Sequence, residues 1–424
     1  MIQELYQIFQ KHSVISTDSR NITPNCIFFA LKGENFNGNL YAKDALEKGA
    51  TYAVIDEEDY IISEKTILVK DVLETLQKLA NYHRKQLNLP IIGLTGSNGK
   101  TTTKELINTV LAKKFKTVAT KGNLNNHIGV PLTLLSMNSN TEIGIVEMGA
   151  NHKQEIAFLS TIAEPDYGYI TNFGKAHLEG FGGIEGVIIG KSELYDHLKS
   201  NDKFIFVNGN DSKQVERTQE SKTYTFGNTN TKSDITIDLL SANPMVKVSA
   251  DNSEIQSQLI GSYNFSNIAA AIAIGTYFNV ELSDIKAAIE AYIPSNNRSQ
   301  IIHKNSNKII LDAYNANPTS MKAALDNFSG LTDTLKIAFL GDMFELGESA
   351  KEEHQFINEY AASLNIHKIY LVGENFGRSI NSNSKVEIHS TFDSLKDNFP
   401  RIENSTLLIK GSRGMALERI LELL

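Results

Sequence analysis

Short apolar runs alternating with stretches of helical spacing set the pattern of this chain. Over residues 1–88, CIFFALKG from Cys26, TYAVID from Thr51 and TILVKD from Thr66 predict strands, with helical stretches such as NLYAKDALEKGA between them. From Asp71 to Leu89, apolar residues at Val72, Leu73, Leu76, Leu79, Ala80 and Leu87 fall on one helical face, and Asp71 stands where an N-cap belongs. Strands are next predicted at Ile91–Leu94 and in EIGIVEMGA from Glu142, DYGYITNFG from Asp166 and FIFVNG from Phe204. They alternate with helices in the manner of a doubly wound, mostly parallel sheet. The polar stretch from Thr218 to Ser253 reads as an excursion carrying a β-hairpin. A second α/β unit follows, with strands in KIILDAY from Lys308, LKIAFLGDM from Leu335, KIYLVGE from Lys368 and TLLIKG from Thr406. Helices are expected after Pro318, from Thr319 and Ser320, and from Ser349 through Ala362. The fold class is therefore α/β; 424 residues are more than one core usually supports, so two or three domains are expected, and the pattern along the chain divides it at 1–89, 90–295 and 296–424.

In open sheets of this kind, ligands bind beyond the carboxyl ends of the strands, and polar residues gather there. The first such end is the stretch Ile91 to Lys104, IIGLTGSNGKTTTK, a strand running through a glycine-rich turn into a helix start. Gly96 and Gly99 let the backbone come close to a ligand, so that N–H groups of Thr95, Ser97, Asn98 and their neighbours converge on one anion. Lys100 adds a positive charge, and the Thr101 hydroxyl, followed by Thr102, is placed to hold magnesium. The strict phosphate-loop pattern asks for glycine where this chain has Leu94, yet the strand-turn-helix context is the one the motif needs. A nucleotide triphosphate cradle is the expectation.

Composition narrows the class. With 41% hydrophobic and 21% charged residues the chain reads as an ordinary globular protein, and a net charge of −8 without a Lys/Arg block argues against nucleic acid as a partner. The N-terminus lacks the uninterrupted apolar core of a signal peptide, and no stretch is long enough to span a membrane, so a cytoplasmic location without membrane insertion is expected. Cys26, the single cysteine, reads as a packed thiol.

Further candidates sit at the other strand ends. Glu147 closes an apolar strand, where burial demands a compensating partner: a magnesium ion bridging phosphates, or a lysine. His177 alone reads as a surface or packing residue, and Lys191, in GKSELYDHL, as a solvated residue at a helix start. KGNLNNHIGVP from Lys121 is too polar for core. Asn264 and Asn267 lie one helical turn apart, able to offer amides to a base or ribose, or to cap a helix. Ser19 and Arg20 at a turn and Lys32 at a strand end are ligand-binding positions or parts of solvated turns. Asp312, Asn315, Asn317, Asp342, Lys410, Ser412 and Arg413 crowd the strand ends of the last unit.

Taken together, these stretches resemble the Mur ligases of peptidoglycan synthesis. The likeness rests on TGSNGKTTTKE from Thr95, KGNLNNHIGVPLTLL from Lys121, VEMGAN from Val146, TNFGKAHLEGFGG from Thr171, GSYNFSNIAAA from Gly261, NNRSQ from Asn296, DAYNANPTSM from Asp312, GDMFELGE from Gly341 and IKGSRGM from Ile409. These stand in the family's order over nearly the whole chain, and DAYNANP and GDMFELG point to the branch that takes D-alanyl-D-alanine. The resemblance implies a small N-terminal α/β domain for the uridine nucleotide, a central ATPase, and a C-terminal Rossmann-like domain that closes on it. It implies ATP and magnesium as cofactors, UDP-N-acetylmuramoyl-tripeptide and D-alanyl-D-alanine as substrates, and a monomer. Matching positions assign Thr101, Glu147 and His177 to magnesium, Lys191 to the lysine that sister enzymes carry as a carbamate, and Asn264, Asn267, Arg298 and Asp312 to the nucleotide. They assign Lys100 and Arg298 to the transferring phosphoryl group, Asn125 and Asn126 to the peptide-bearing substrate, and Asn315 and Asn317 to the dipeptide. In the first domain the family's Phe-Asp-Gly-His is replaced by Phe36-Asn37-Gly38-Asn39. The competing readings are a sister ligase that adds a single amino acid, a folylpolyglutamate-type ligase, and an ATPase that regulates without ligating.

Overall fold

The computed structural model describes residues 1–295 and 297–424; Asn296, the first residue of the NNRSQ stretch, lies outside the described residues. Three main sheets follow one another along the chain. The first has four parallel strands in the order Ile15–Ser16, Ile27–Phe29, Tyr52–Ile55, Thr66–Leu68, with a short hairpin of Lys32–Gly33 and Phe36–Asn37 beside it. Helix Val72–Leu87 covers it and is capped as expected, the Asp71 carboxylate accepting from the Glu74 N–H at 2.7 Å. Cys26 is fully buried in this unit, and burial pushes its thiol pKa up.

The second sheet has nine strands. Their spatial order is Ser253–Ile260, Met245–Ala250, Ile235–Ser241, Lys222–Gly227, Phe204–Asn208, Tyr167–Ile170, Ile91–Thr95, Ile143–Glu147, Thr117–Ala119. All neighbours from Ile235–Ser241 to Thr117–Ala119 pair in parallel. The stretch Thr218–Ser253 is thus no excursion. It adds two strands in parallel pairing, Lys222–Gly227 and Ile235–Ser241, and the expected hairpin, Ile235–Ser241 with Met245–Ala250, is extended by Ser253–Ile260 into an antiparallel meander of the same sheet. The cause is a period of two: Val246, Val248 and Ala250 are buried, joining Ile237 and Ile255 in one core, while the residues between face outward. Helix Phe265–Tyr277 is buried along nearly its whole length and packs on helix Lys100–Leu111. There Gly275 lets Val110 approach so closely that an added Cβ would stand 2.5 Å from its Cγ1.

The third sheet runs Gln300–Lys304, Asn307–Asp312, Thr406–Lys410, Lys336–Gly341, Lys368–Val372, Val386–His389, parallel except for the antiparallel first pair. Strands Thr117–Ala119 and Val386–His389 are only three and four residues long, too short for a periodic signal.

Polar contacts tie the second and third units together. Lys175 pairs with Glu353 at 2.6 Å, the Lys175 N–H donates to Thr319 Oγ1 at 3.0 Å, and the Glu179 N–H reaches Glu345 O at 3.4 Å.

Candidate active site

A cleft of about 770 Å³ opens where the carboxyl ends of the second and third sheets face each other. Its wall begins with the phosphate loop. Gly96 and Gly99 have φ of +140° and +80°, and a Cβ on them would stand 2.0 Å from Thr171 Oγ1 and 2.5 Å from Asn267 Oδ1. Only glycine fits either place. Lys100 folds over the loop, its Nζ donating to Gly96 O at 2.7 Å, and desolvation lowers its pKa. The loop is braced from the next strand: Thr171 Oγ1 donates to Asn98 O at 2.6 Å and Ser97 Oγ to Gly174 O at 2.8 Å.

Glu147 is 1% exposed, at the end of its strand. Oε1 accepts from Asn125 Nδ2 at 2.8 Å and from the Thr101 hydroxyl at 3.3 Å, while Oε2 is buried with no partner. The anticipated lysine does not meet it. Lys104 instead donates to Thr120 O at 2.7 Å, and Thr120 Oγ1 accepts from the Glu147 N–H at 2.9 Å, so Lys104 anchors the strand end indirectly. A buried carboxylate oxygen without a donor fits a divalent cation. His177, in the left-handed region at φ +52°, lines the same cleft and turns Nδ1 toward the Glu345 carboxylate, close but outside hydrogen-bond alignment.

The facing wall comes from the third unit. The Arg298 guanidinium lies 3.6 Å from the Tyr314 ring centroid, with Arg413 on that ring too at 5.4 Å. Asp312 is engaged at both oxygens, accepting from the Ser299 N–H at 3.1 Å and from Lys410 Nζ at 2.5 Å. Lys410 also donates to Asn315 O at 3.2 Å.

Of the residues singled out in the sequence, Ser97, Asn98, Gly99, Lys100, Thr101, Thr102, Asn125, Asn126, Glu147, His177, Asn264, Asn267, Arg298, Asp312, Asn315 and Asn317 line this cleft. Thr95 and Gly96 lie just behind it. Lys191 does not, and the expectation of a solvated residue at a helix start is corrected: it is fully buried in the middle of helix Ile184–Ser200. Its Nζ donates to Ala150 O at 2.9 Å and sits 4.8 Å from the Phe181 ring centroid, and desolvation drives its pKa well below the ordinary lysine value. Asn264 and Asn267 bond to each other at 2.8 Å, and Asn267 Oδ1 accepts from Thr103 Oγ1 at 3.0 Å, so this pair braces the loop. Asn317 likewise has its amide engaged within the protein. Ser19, Arg20 and Lys32 lie in the first unit and do not line the cleft. Arg20 pairs with Asp18 at 2.8 Å, and Lys32 with Asp56 at 3.0 Å. Asn37 and Asn39 also turn to Asp56 and Glu57, Asn39 Nδ2 donating to Asp56 Oδ1 at 2.8 Å, so the departure from the family pattern is absorbed by local bonds. Tyr263 and Tyr314 went unassigned in the sequence, although both stand inside motifs quoted there.

Comparison with known proteins agrees with this arrangement. Residues 94–275 match the Mur ligase middle domain, residues 297–413 the Mur ligase glutamate ligase domain, and residues 11–84 the Mur ligase family catalytic domain. The UDP-N-acetylmuramoyl-tripeptide–D-alanyl-D-alanine ligase of Bacillus subtilis is 34% identical, over 96% of this chain and 92% of that one. The enzyme of the same name from Escherichia coli is 31% identical, over 97% and 93%. The crystal structure of MurF from Acinetobacter baumannii superposes with a TM-score of 0.85 at 30% identity, covering 100% and 98% of the two chains. That of the Thermotoga maritima MurF ligase in complex with ADP gives 0.83 at 27% identity, covering 97% and 96%. A phosphate loop, a buried acidic strand end and a facing third unit, matched over the full length by such relatives, have one reading: the chain belongs to the Mur ligase family.

Proposed function

We propose that this chain is the ATP-dependent amide ligase that joins D-alanyl-D-alanine to UDP-N-acetylmuramoyl-tripeptide in peptidoglycan precursor synthesis. The observation that carries the reading is one cleft lined by both the phosphate loop and the third unit's Arg298, Asn315 and Lys410. A carboxylate is a poor acyl donor, because its oxygen will not leave. In the reaction the tripeptide's terminal carboxylate attacks the γ-phosphorus of ATP, ADP departs, and the dipeptide amine then attacks the acyl phosphate, forming the amide and releasing phosphate.

The chain's part in this is positioning and charge neutralisation. Lys100 and Arg298 offset charge on the transferring group. Thr101 and Glu147, with His177 beside them, would hold magnesium, which would supply neutralisation of the phosphate oxygens. Lys191, whose pKa burial drives down toward the free amine that takes up carbon dioxide, is the residue that would carry a carbamate. Asn125 and Asn126 face the peptide-bearing substrate. Residues 1–89 receive the uridine nucleotide, residues 90–295 the ATP, and residues 296–424 close on both, excluding water from the acyl phosphate. The enzyme works in the cytoplasm as a monomer on a soluble precursor; among the described residues no helix is long and apolar enough to cross a membrane.

The test is phosphate release from ATP with UDP-N-acetylmuramoyl-tripeptide present, adding D-alanyl-D-alanine, single amino acids or nothing. Dipeptide-dependent release with the pentapeptide product by mass is expected. Release with a single amino acid would move the assignment to a sister ligase, and release indifferent to any acceptor would leave a regulatory ATPase. Lys100→Ala is expected to cost at least about 10²–10³-fold in kcat while the circular dichroism stays that of the wild type.

A further inference from the structure

Arg298 lines the cleft with its guanidinium 3.6 Å from the Tyr314 ring centroid, and the backbone on either side of it is unusual. Asn297 and Ser299 both stand in the left-handed region, at φ +56° and +50°. L-residues keep that conformation where their surroundings fix it. Here three hydrogen bonds do so. Asn297 O accepts from the Tyr314 N–H at 3.2 Å, the Ser299 N–H donates to Asp312 Oδ1 at 3.1 Å, and the Ser299 hydroxyl shares a bond of 2.9 Å with the Tyr263 hydroxyl. The first two stay within the third unit. The third crosses to the second unit, where its tyrosine is held in turn. The Tyr263 ring packs on Gly261, whose φ is +81° and where an added Cβ would stand 2.3 Å from Cε1 of the ring. The next residue, Asn264, accepts from Asn267 Nδ2 at 2.8 Å, and Asn267 Oδ1 accepts from Thr103 Oγ1, on the helix that leaves the phosphate loop. Polar contacts thus run from that helix to the backbone beside Arg298.

We propose that Tyr263 is a positioning residue for Arg298: through Ser299 it ties the third unit's arginine to the unit that carries the phosphate loop, and so sets where the guanidinium stands when the phosphoryl group is transferred. This rests on the reading that Arg298 offsets charge on that group. Tyr314 supplies the rest of the seat, since its ring carries the guanidinium and its N–H holds Asn297. Burial pushes the pKa of the Tyr263 hydroxyl up, so it stays a phenol with a proton to share. A cation that stabilises developing charge acts only if it is in place beforehand, so a guanidinium that has drifted costs rate more than ground-state binding.

Tyr263→Phe removes one oxygen and keeps the ring. The thermal midpoint is expected to stay within about 3 °C of the wild type. Hydrogen exchange of the free chain is expected to show the Ser299 and Tyr314 amides opening about tenfold faster, because the bond that fixes their backbone is gone. In steady-state kinetics kcat falls about tenfold, while calorimetry shows affinity for a non-hydrolysable ATP analogue within about twofold of the wild type. Ser299→Ala gives the same loss, the two substitutions together give no more than either alone, and in an Arg298→Ala background Tyr263→Phe adds nothing. Wild-type kcat in Tyr263→Phe, or an undiminished loss in the Arg298→Ala background, overturns the proposal. So does a fall in analogue affinity that Ser299→Ala does not share, which would place the Tyr263 hydroxyl directly on the nucleotide. If the wild-type chain releases no phosphate in response to the dipeptide, the ligase reading fails by itself; the exchange experiment needs no turnover, and unchanged protection of the two amides there would sink the clamp on its own account.

Discussion

Lys191 shows how much a single residue's meaning depends on what surrounds it. Next to Gly190 and Ser192 in the sequence it reads as a face residue; in the fold it is among the largest fully buried side chains. Burial raises the cost of its charge, and among the described residues its amine meets one carbonyl and one aromatic face. Because such a residue adds little to stability, Lys191→Met, which keeps the apolar stem, is expected to melt at or above the wild-type temperature while ligation is lost. A lower midpoint with activity retained would make the lysine structural. Glu147 is the opposite case. Its place after four apolar residues marked it in the sequence as a buried charge in need of a partner, and its unpartnered oxygen keeps that need visible in the fold.

At the scale of elements, most of the chain was legible because its strands are continuous apolar runs and its helices carry clear apolar faces. What escaped were the shortest strands and the polar meander, whose burial is set by a sheet already in place. Helix Val72–Leu87 carries a less visible device. His83 on it is buried, with Nε2 2.9 Å from Met137 O, Nδ1 3.3 Å from the Tyr6 hydroxyl, and the Phe9 ring edge-on at 5.0 Å. Desolvation lowers its pKa, so the folded chain keeps it neutral at a pH where the unfolded chain binds a proton. Its contribution therefore turns against folding as pH falls below the unfolded value of about 6.5, and is level above it. Thermal melts are expected to drop between pH 7.5 and 5.5, and His83→Gln, which keeps a donor for Met137 O, to drop less. Equal slopes for the two proteins would show that other groups govern this range.

For the molecule as a whole, the question is what holds the third unit over the phosphate loop. Lys175 and Glu353 form a direct ion pair between the units, with the lysine half exposed and the glutamate 13% exposed. Such a pair is worth about 1 kcal/mol at most, enough to bias closure without locking it. Lys175→Glu is expected to raise KM for the dipeptide a few-fold, more at low salt than at high, and Glu353→Lys in the same chain to restore it. Steady-state kinetics of the two single variants and the double variant decide this; two losses that simply add would show that the pair does not couple the units.

The sequence by itself determined the α/β class, the glycine-rich strand-loop-helix, and the family, because these depend on local periods and on residues adjacent in the chain. Glycines at 96 and 99 and a lysine at 100 act through backbone geometry a few residues long. The tertiary structure alone decided which side chains are spent and which remain available. Asn267, Asp312 and Asn317 read as equivalent polar candidates until their partners, 164, 98 and 219 positions away in sequence, engaged them. The partners of a hydrogen-bonding group are set by the packing of distant elements, and no local period records them.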